Sequence, residues 1–157
     1  MLKPLEQFIC DTCGQIIETP KEGWFEWISS SDNPSNMPID SEFRICHHNS
    51  KCQIHGSTRR RGLSDVHLSD FLGHTGIINL LSMIDPGPYH APDYHGPSIK
   101  NFREYAEIAR RLTVPYYEEA RQWWTEATND GYFDDINEIA IYLPQYLKKM
   151  IEHYSNQ

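Results

Sequence analysis

The sequence predicts an α+β chain, a small β-hairpin module followed by a mainly α-helical bundle. Three observations predict it. All four cysteines, Cys10, Cys13, Cys46 and Cys52, fall in the first third, among short runs that alternate between polar and apolar residues. Beyond residue 63 the apolar residues instead recur at three- and four-residue steps, the period of a helix. Charge divides at the same place: residues 1–62 carry 7 basic and 8 acidic side chains, and residues 63–157 carry 7 and 14. The chain is therefore read as a module over 1–62 and a helical domain over 63–157.

Composition excludes several classes. At 157 residues, 39% hydrophobic and 12% aromatic, the chain is too apolar to stay disordered and long enough to bury a core without disulfides. A net charge of −8 argues against a general nucleic-acid coat. No apolar run reaches the length of a membrane span, and Met1–Glu6 does not open a signal peptide. The expected location is the cytoplasm, where thiols stay reduced.

The elements follow in order. Phe8-Ile9 and Gln15-Ile16-Ile17 read as two extended arms around a tight turn, with Gly14 supplying a positive φ. Gly23–Ile28 is an aromatic-rich strand, Ser29–Pro38 a loop, and Glu42–Cys46 the antiparallel partner strand. Arg59-Arg60-Arg61-Gly62 reads as a loop joining the two parts. Ser64 or Asp65 caps a short helix through Val66, Leu68, Phe71 and Leu72, and Thr75 caps a second through Ile84. Pro86–Pro97 is a loop. Ser98 caps a third helix with Ile99, Phe102, Ala106, Ala109 and Leu112 on one face. Pro115 opens a fourth, which buries Tyr116, Ala120, Trp123, Trp124 and Ala127, solvates Glu118 and Glu119, and ends at Asn129-Asp130-Gly131. Asp135 with Glu138 resembles a capping box for the last helix, which Pro144 kinks or restarts. Trp24 and Trp27 offer apolar surface that a two-stranded unit cannot bury alone, so the front packs on the back.

The chemistry concentrates in the front. Two thiolates at Cys10 and Cys13, two residues apart on a turn, can hold one tetrahedral metal ion. Some thirty residues on, at the end of a predicted strand, comes a second cluster, Cys46-His47-His48 to Cys52 and His55. A redox Cys-x-x-Cys would precede a long helix, and none follows here. Three pairings complete a four-ligand set: His48 with Cys52, Cys46 with Cys52, or Cys52 with His55. The first is preferred, giving Cys10, Cys13, His48 and Cys52, because it lets the strand end before the site. Mixed Cys/His donors favour zinc over iron.

Over residues 8–55 this pattern resembles the zinc-ribbon and treble-clef class of zinc modules. The resemblance rests on the Cys10-Asp11-Thr12-Cys13-Gly14 knuckle, a hairpin and the second Cys/His cluster. It implies a structural zinc. The second cluster departs from the usual tight Cys-x-x-Cys pair.

No catalytic residues are assigned, and the reading is a non-enzymatic, zinc-dependent interaction or regulatory protein with a protein partner. Tyr89 and Tyr94 are candidate contact aromatics. Two alternatives are carried. Arg59–Arg61 could meet phosphates beside a ribbon, making a nucleic-acid-associated protein. Asp65, His67, His90 and His95 could hold a second metal in a hydrolase. Motifs for phosphate loops, nucleophile elbows and His-Glu-x-x-His zinc helices are absent.

Overall fold

A computed structural model describes residues 1–31, 38–54, 61–85, 87 and 99–156. Its architecture is mixed α+β, as the sequence predicts. The first unit is a knuckle: β1 (Phe8–Ile9) pairs antiparallel with β2 (Ile16–Ile17) around a turn in which Gly14 has φ +71°. Phe8 faces Ile17 across this pair, and both are fully buried.

A three-stranded antiparallel sheet follows, β3 (Gly23–Ser30), β4 (Ile39–His47) and β5 (Arg61–His67), in the order β4-β3-β5. The β3–β4 pairing matches the sequence reading. The third strand corrects it. Residues 65–67, expected to open a helix, instead pair with β3, Val66 opposite Phe25 and His67 opposite Trp24. The alternation is that of a strand: Val66 leans on the core while Asp65 and His67 are exposed. The free edge of β3 decides the outcome, because an unpaired edge offers a full ladder of backbone hydrogen bonds. Only a 3-10 turn over Leu68–Phe71 remains of the expected helix.

Helix α1 (Gly73–Ile84) begins two residues before the expected Thr75 cap, and no side chain caps it. Gly76 is required there. A Cβ at this position would lie 2.1 Å from the Phe71 carbonyl, so the helix can approach the preceding turn only without a side chain. Helix α2 (Phe102–Thr113) is capped by Asn101, whose Oδ1 accepts from the Arg103 and Glu104 amides at 3.0 Å and 3.3 Å. The expected cap, Ser98, lies outside the described residues.

The single helix expected after Pro115 is divided into α3 (Tyr117–Ala120), a 3-10 turn over Arg121–Trp123, and α4 (Trp124–Asn129). It ends as expected, with Gly131 at φ +68°. Asp135 and Glu138 do not start the last helix. A 3-10 turn over Ala140–Tyr142 intervenes, and α5 (Pro144–Tyr154) starts with Pro144 in its first turn, the position that tolerates a missing N–H.

Two cores result. The first joins the knuckle and sheet (Phe8, Ile17, Phe25, Ile45) to Leu68, Phe71, Leu80, Ile108 and Leu112. Trp24 and Trp27 pack against it, each partly buried. The second gathers Tyr117, Ala120, Ala127, Leu147, Met150, Ile151 and Tyr154, with Trp123 and Trp124 half-buried against it. The division expected at residue 62 falls inside β5, and the first core draws on both sides of it.

Candidate metal centre

The knuckle turn places Cys10 and Cys13 at the end of the sheet where β4 finishes. The Gly14 amide donates to the Cys10 carbonyl at 2.9 Å, closing the turn so that both sulfurs face one side. Asp11 docks the turn onto β4: its amide donates to the Ile45 carbonyl at 2.9 Å, and its Oδ2 accepts from the Ile45 amide at 2.8 Å.

After β4 the chain turns sharply at Asn49. Its Oδ1 accepts from the Lys51 and Cys52 amides at 3.0 Å and 3.2 Å, an Asx turn that brings Cys52 back toward the knuckle. The Cys52 carbonyl is held by the Arg44 guanidinium at 2.7 Å and by the Thr12 hydroxyl. The far end of the site is thus fixed to the knuckle and to the sheet.

The outcome is a group of four potential ligands, Cys10, Cys13, His47 and Cys52, whose donor atoms lie within 4.8 Å of one another. All four cysteines are free thiols. The His47 ring spans the gap between knuckle and strand. Its Nδ1 lies 3.5 Å from Cys13 Sγ, and its Nε2 lies 3.2 Å from the Ile16 carbonyl. A carbonyl can only accept, so Nε2 carries a proton, and Nδ1 is the ring nitrogen that faces the sulfur cluster.

Three of the four expected ligands are therefore brought together, and His48 is not. The reason is strand geometry. β4 runs one residue further than the sequence reading allowed, so His47 is its last residue and neighbouring side chains point to opposite faces. The His48 ring packs edge-on against Trp24, with centroids 4.4 Å apart, and the exposed His67 stacks on the same indole at 4.6 Å. Cys46 faces away from the cluster as well. Burial, and next the buried Glu26 carboxylate, hold its thiol far above the ordinary range. His55 lies outside the described residues.

The cluster polarises its own thiols. Burial alone would raise Cys10, but backbone amides of Cys13, His47 and Thr12 and the His47 ring outweigh it and bring the thiol down to about 6. Burial, then hydrogen bonding to Cys10 and Cys13, raises Cys52. One thiolate is favoured and the next is opposed, a conflict that a bound cation would relieve.

Behind the knuckle lies an ionic network that the sequence reading did not anticipate. Glu118, expected on a solvated face, is 5% exposed. It takes two hydrogen bonds from Arg111, Nε at 2.6 Å and Nη2 at 2.9 Å, and one from the Ile9 amide at 2.9 Å. Arg111 also reaches Asp11 Oδ2 at 2.7 Å and the Ile9 carbonyl at 3.2 Å, while Arg121 meets Asp11 Oδ1 at 3.1 Å. The signal was available, since Arg111 interrupts the apolar stripe Tyr105, Ile108, Leu112. A charge in such a stripe needs a buried partner.

The alternative sites receive less. Asp65 and His67 are exposed on β5 and, among the described residues, join no group of metal-ligating side chains. His90 and His95 lie outside the described residues, as do Arg59, Arg60, Tyr89 and Tyr94. Among the described residues no helix is long and apolar enough to cross a membrane. No family model matches this chain, and no curated protein or solved structure matches it either.

Proposed function

We propose that this is a zinc-binding protein in which Cys10, Cys13, His47 and Cys52 hold one structural Zn²⁺, and that it acts through a protein partner rather than as an enzyme. The convergence of these four donors carries the reading. Neighbouring ligand atoms of a tetrahedral zinc lie about 3.5–3.8 Å apart, given bonds near 2.3 Å to sulfur and 2.0–2.1 Å to nitrogen. The 3.5 Å between Cys13 Sγ and His47 Nδ1 is such an edge. Three sulfurs and one nitrogen suit zinc, and a fully protein-supplied set of four leaves no position for a substrate, which supports a structural role. The location consistent with reduced thiols is the cytoplasm.

Support for a protein partner comes from α1. The helix has no Asp, Glu, Lys or Arg, and Ile77, Ile78 and Leu81 are exposed on its outer side while Leu80 is buried on the inner. A helix apolar on both sides is ordinarily covered on both.

Elemental analysis of the purified chain tests the zinc assignment. The expected result is about one zinc per chain, removed by a strong chelator with a fall in the unfolding midpoint. A chain purified without chelator that holds no stoichiometric metal overturns it.

A further inference from the structure

A second site lies between α2 and α4, away from the cysteines. It is a cleft of about 650 Å³, within the range that small-molecule sites occupy. Its floor is Tyr117, and its walls are Trp124, Phe133 and Tyr142. Trp124 stands 5.3 Å from Phe133 and 5.9 Å from Tyr142 between ring centroids, so flat apolar surface lines it on several sides.

The charges in this cleft are arranged unusually. Glu107 and Arg110 are three apart on α2, where opposite charges ordinarily pair across the helix surface. Here each is held by something else. Glu107 accepts from the Tyr117 hydroxyl through Oε2, and Oε1 has no hydrogen bond among the described residues. The Arg110 guanidinium lies over the Tyr142 ring, 4.3 Å from its centroid, and none of its N–H groups meets an acceptor among the described residues. Both side chains are partly buried, and water is a poor substitute partner at an aromatic wall.

We infer that this cleft binds a small zwitterion carrying a flat apolar group, such as an α-amino acid with an aromatic side chain. Arg110 takes the carboxylate, the free oxygen of Glu107 takes the ammonium, and the ring packs on the aromatic surface that Trp124, Phe133 and Tyr142 present to the cleft. A carboxylate on a fork of guanidinium donors and an ammonium on a carboxylate are charge-assisted contacts, the kind that gain most when partly desolvated. The site is separate from the metal centre and does not rest on the zinc assignment.

Calorimetric titration of the full chain with L-phenylalanine tests this. One saturable site per chain is expected. Phenethylamine, which lacks the carboxylate, and 3-phenylpropionate, which lacks the ammonium, should each bind at least about tenfold more weakly, the least that losing one charged hydrogen bond costs. Arg110→Gln and Glu107→Gln should each weaken L-phenylalanine binding by about the same factor. Circular dichroism identifies any variant that fails to fold, and the analogue series on the unaltered chain decides the question in that case. Absence of saturable binding by the unaltered chain at millimolar ligand overturns the inference. So does equal affinity for all three ligands, or undiminished binding by both folded variants.

Discussion

Arg111 meets Glu118 through two near-parallel N–H···O contacts, 2.6 Å and 2.9 Å long, with both side chains almost wholly withdrawn from water. Burial alone would lower the arginine's proton affinity; Glu118 and Asp11 outweigh it and raise that affinity instead. A planar fork against a carboxylate is a geometry that lysine cannot reproduce. Arg111→Ala leaves Glu118 and Asp11 without their principal cation inside the protein. The expected loss is about 3–5 kcal/mol, read from urea unfolding, and Arg111→Lys should recover only part of it.

Ligand variants separate the two histidines. His47→Ala and Cys52→Ser should each lose bound zinc, while His48→Ala and Cys46→Ser should keep about one equivalent. Elemental analysis of the four proteins reads the result directly. Retention by His47→Ala together with loss by His48→Ala would return the fourth ligand to His48.

The metal-free protein should grow more stable as pH rises from about 6 to about 9. Cys10 sits at about 6 in the folded chain against 9.0 in the unfolded one. Across that interval the unfolded chain holds a proton that the folded chain has released, so stability increases with pH. It is fully present above the unfolded value and is lost as pH falls through the folded one. Urea midpoints of chelated protein should climb across this range, and those of Cys10→Ser should climb less.

At alkaline pH the slope reverses through two buried phenols. Burial, foremost, raises Tyr105 and Tyr117 above their ordinary value of 10.0. The Tyr105 hydroxyl donates to the Leu80 carbonyl and that of Tyr117 to Glu107. Above pH 10 the unfolded chain ionises these groups and the folded chain does not, so stability present below pH 10 is lost as pH climbs. Phenolate absorbance should show that these two titrate only with unfolding, and Tyr105→Phe should flatten the alkaline fall.

Much of this was legible in the sequence, and what was not has specific causes. The Cys10–Gly14 turn, the β3–β4 hairpin and the restart at Pro144 are local, set by glycine, proline and period-two alternation within a few residues. β5 was missed because Asp65-Val66-His67 carries no strong propensity of its own, and only the waiting edge of β3 makes it a strand. His47 joins the cluster where His48 was expected because β4 is a single residue longer than the sequence reading gave, enough to exchange one face for the other. The cap assigned to Ser98 was displaced by Asn101, whose side chain satisfies the first free amides of α2. Glu118 looked solvated because the knuckle it holds through the Ile9 amide lies far away in sequence.

That distance has a consequence for how the protein is made. The backbone of Ile9 is held by Glu118, 109 positions later, and Asp11 by Arg111, 100 positions later. At ribosomal rates of about 5–20 residues per second, the knuckle waits roughly 5–20 s for the helices that secure it. His47 and Cys52 arrive well before then. During that interval the Asp11–Ile45 contacts and the four donors can already close, and a bound metal ion would tie the knuckle to the end of β4 without waiting for the C-terminal half to be translated.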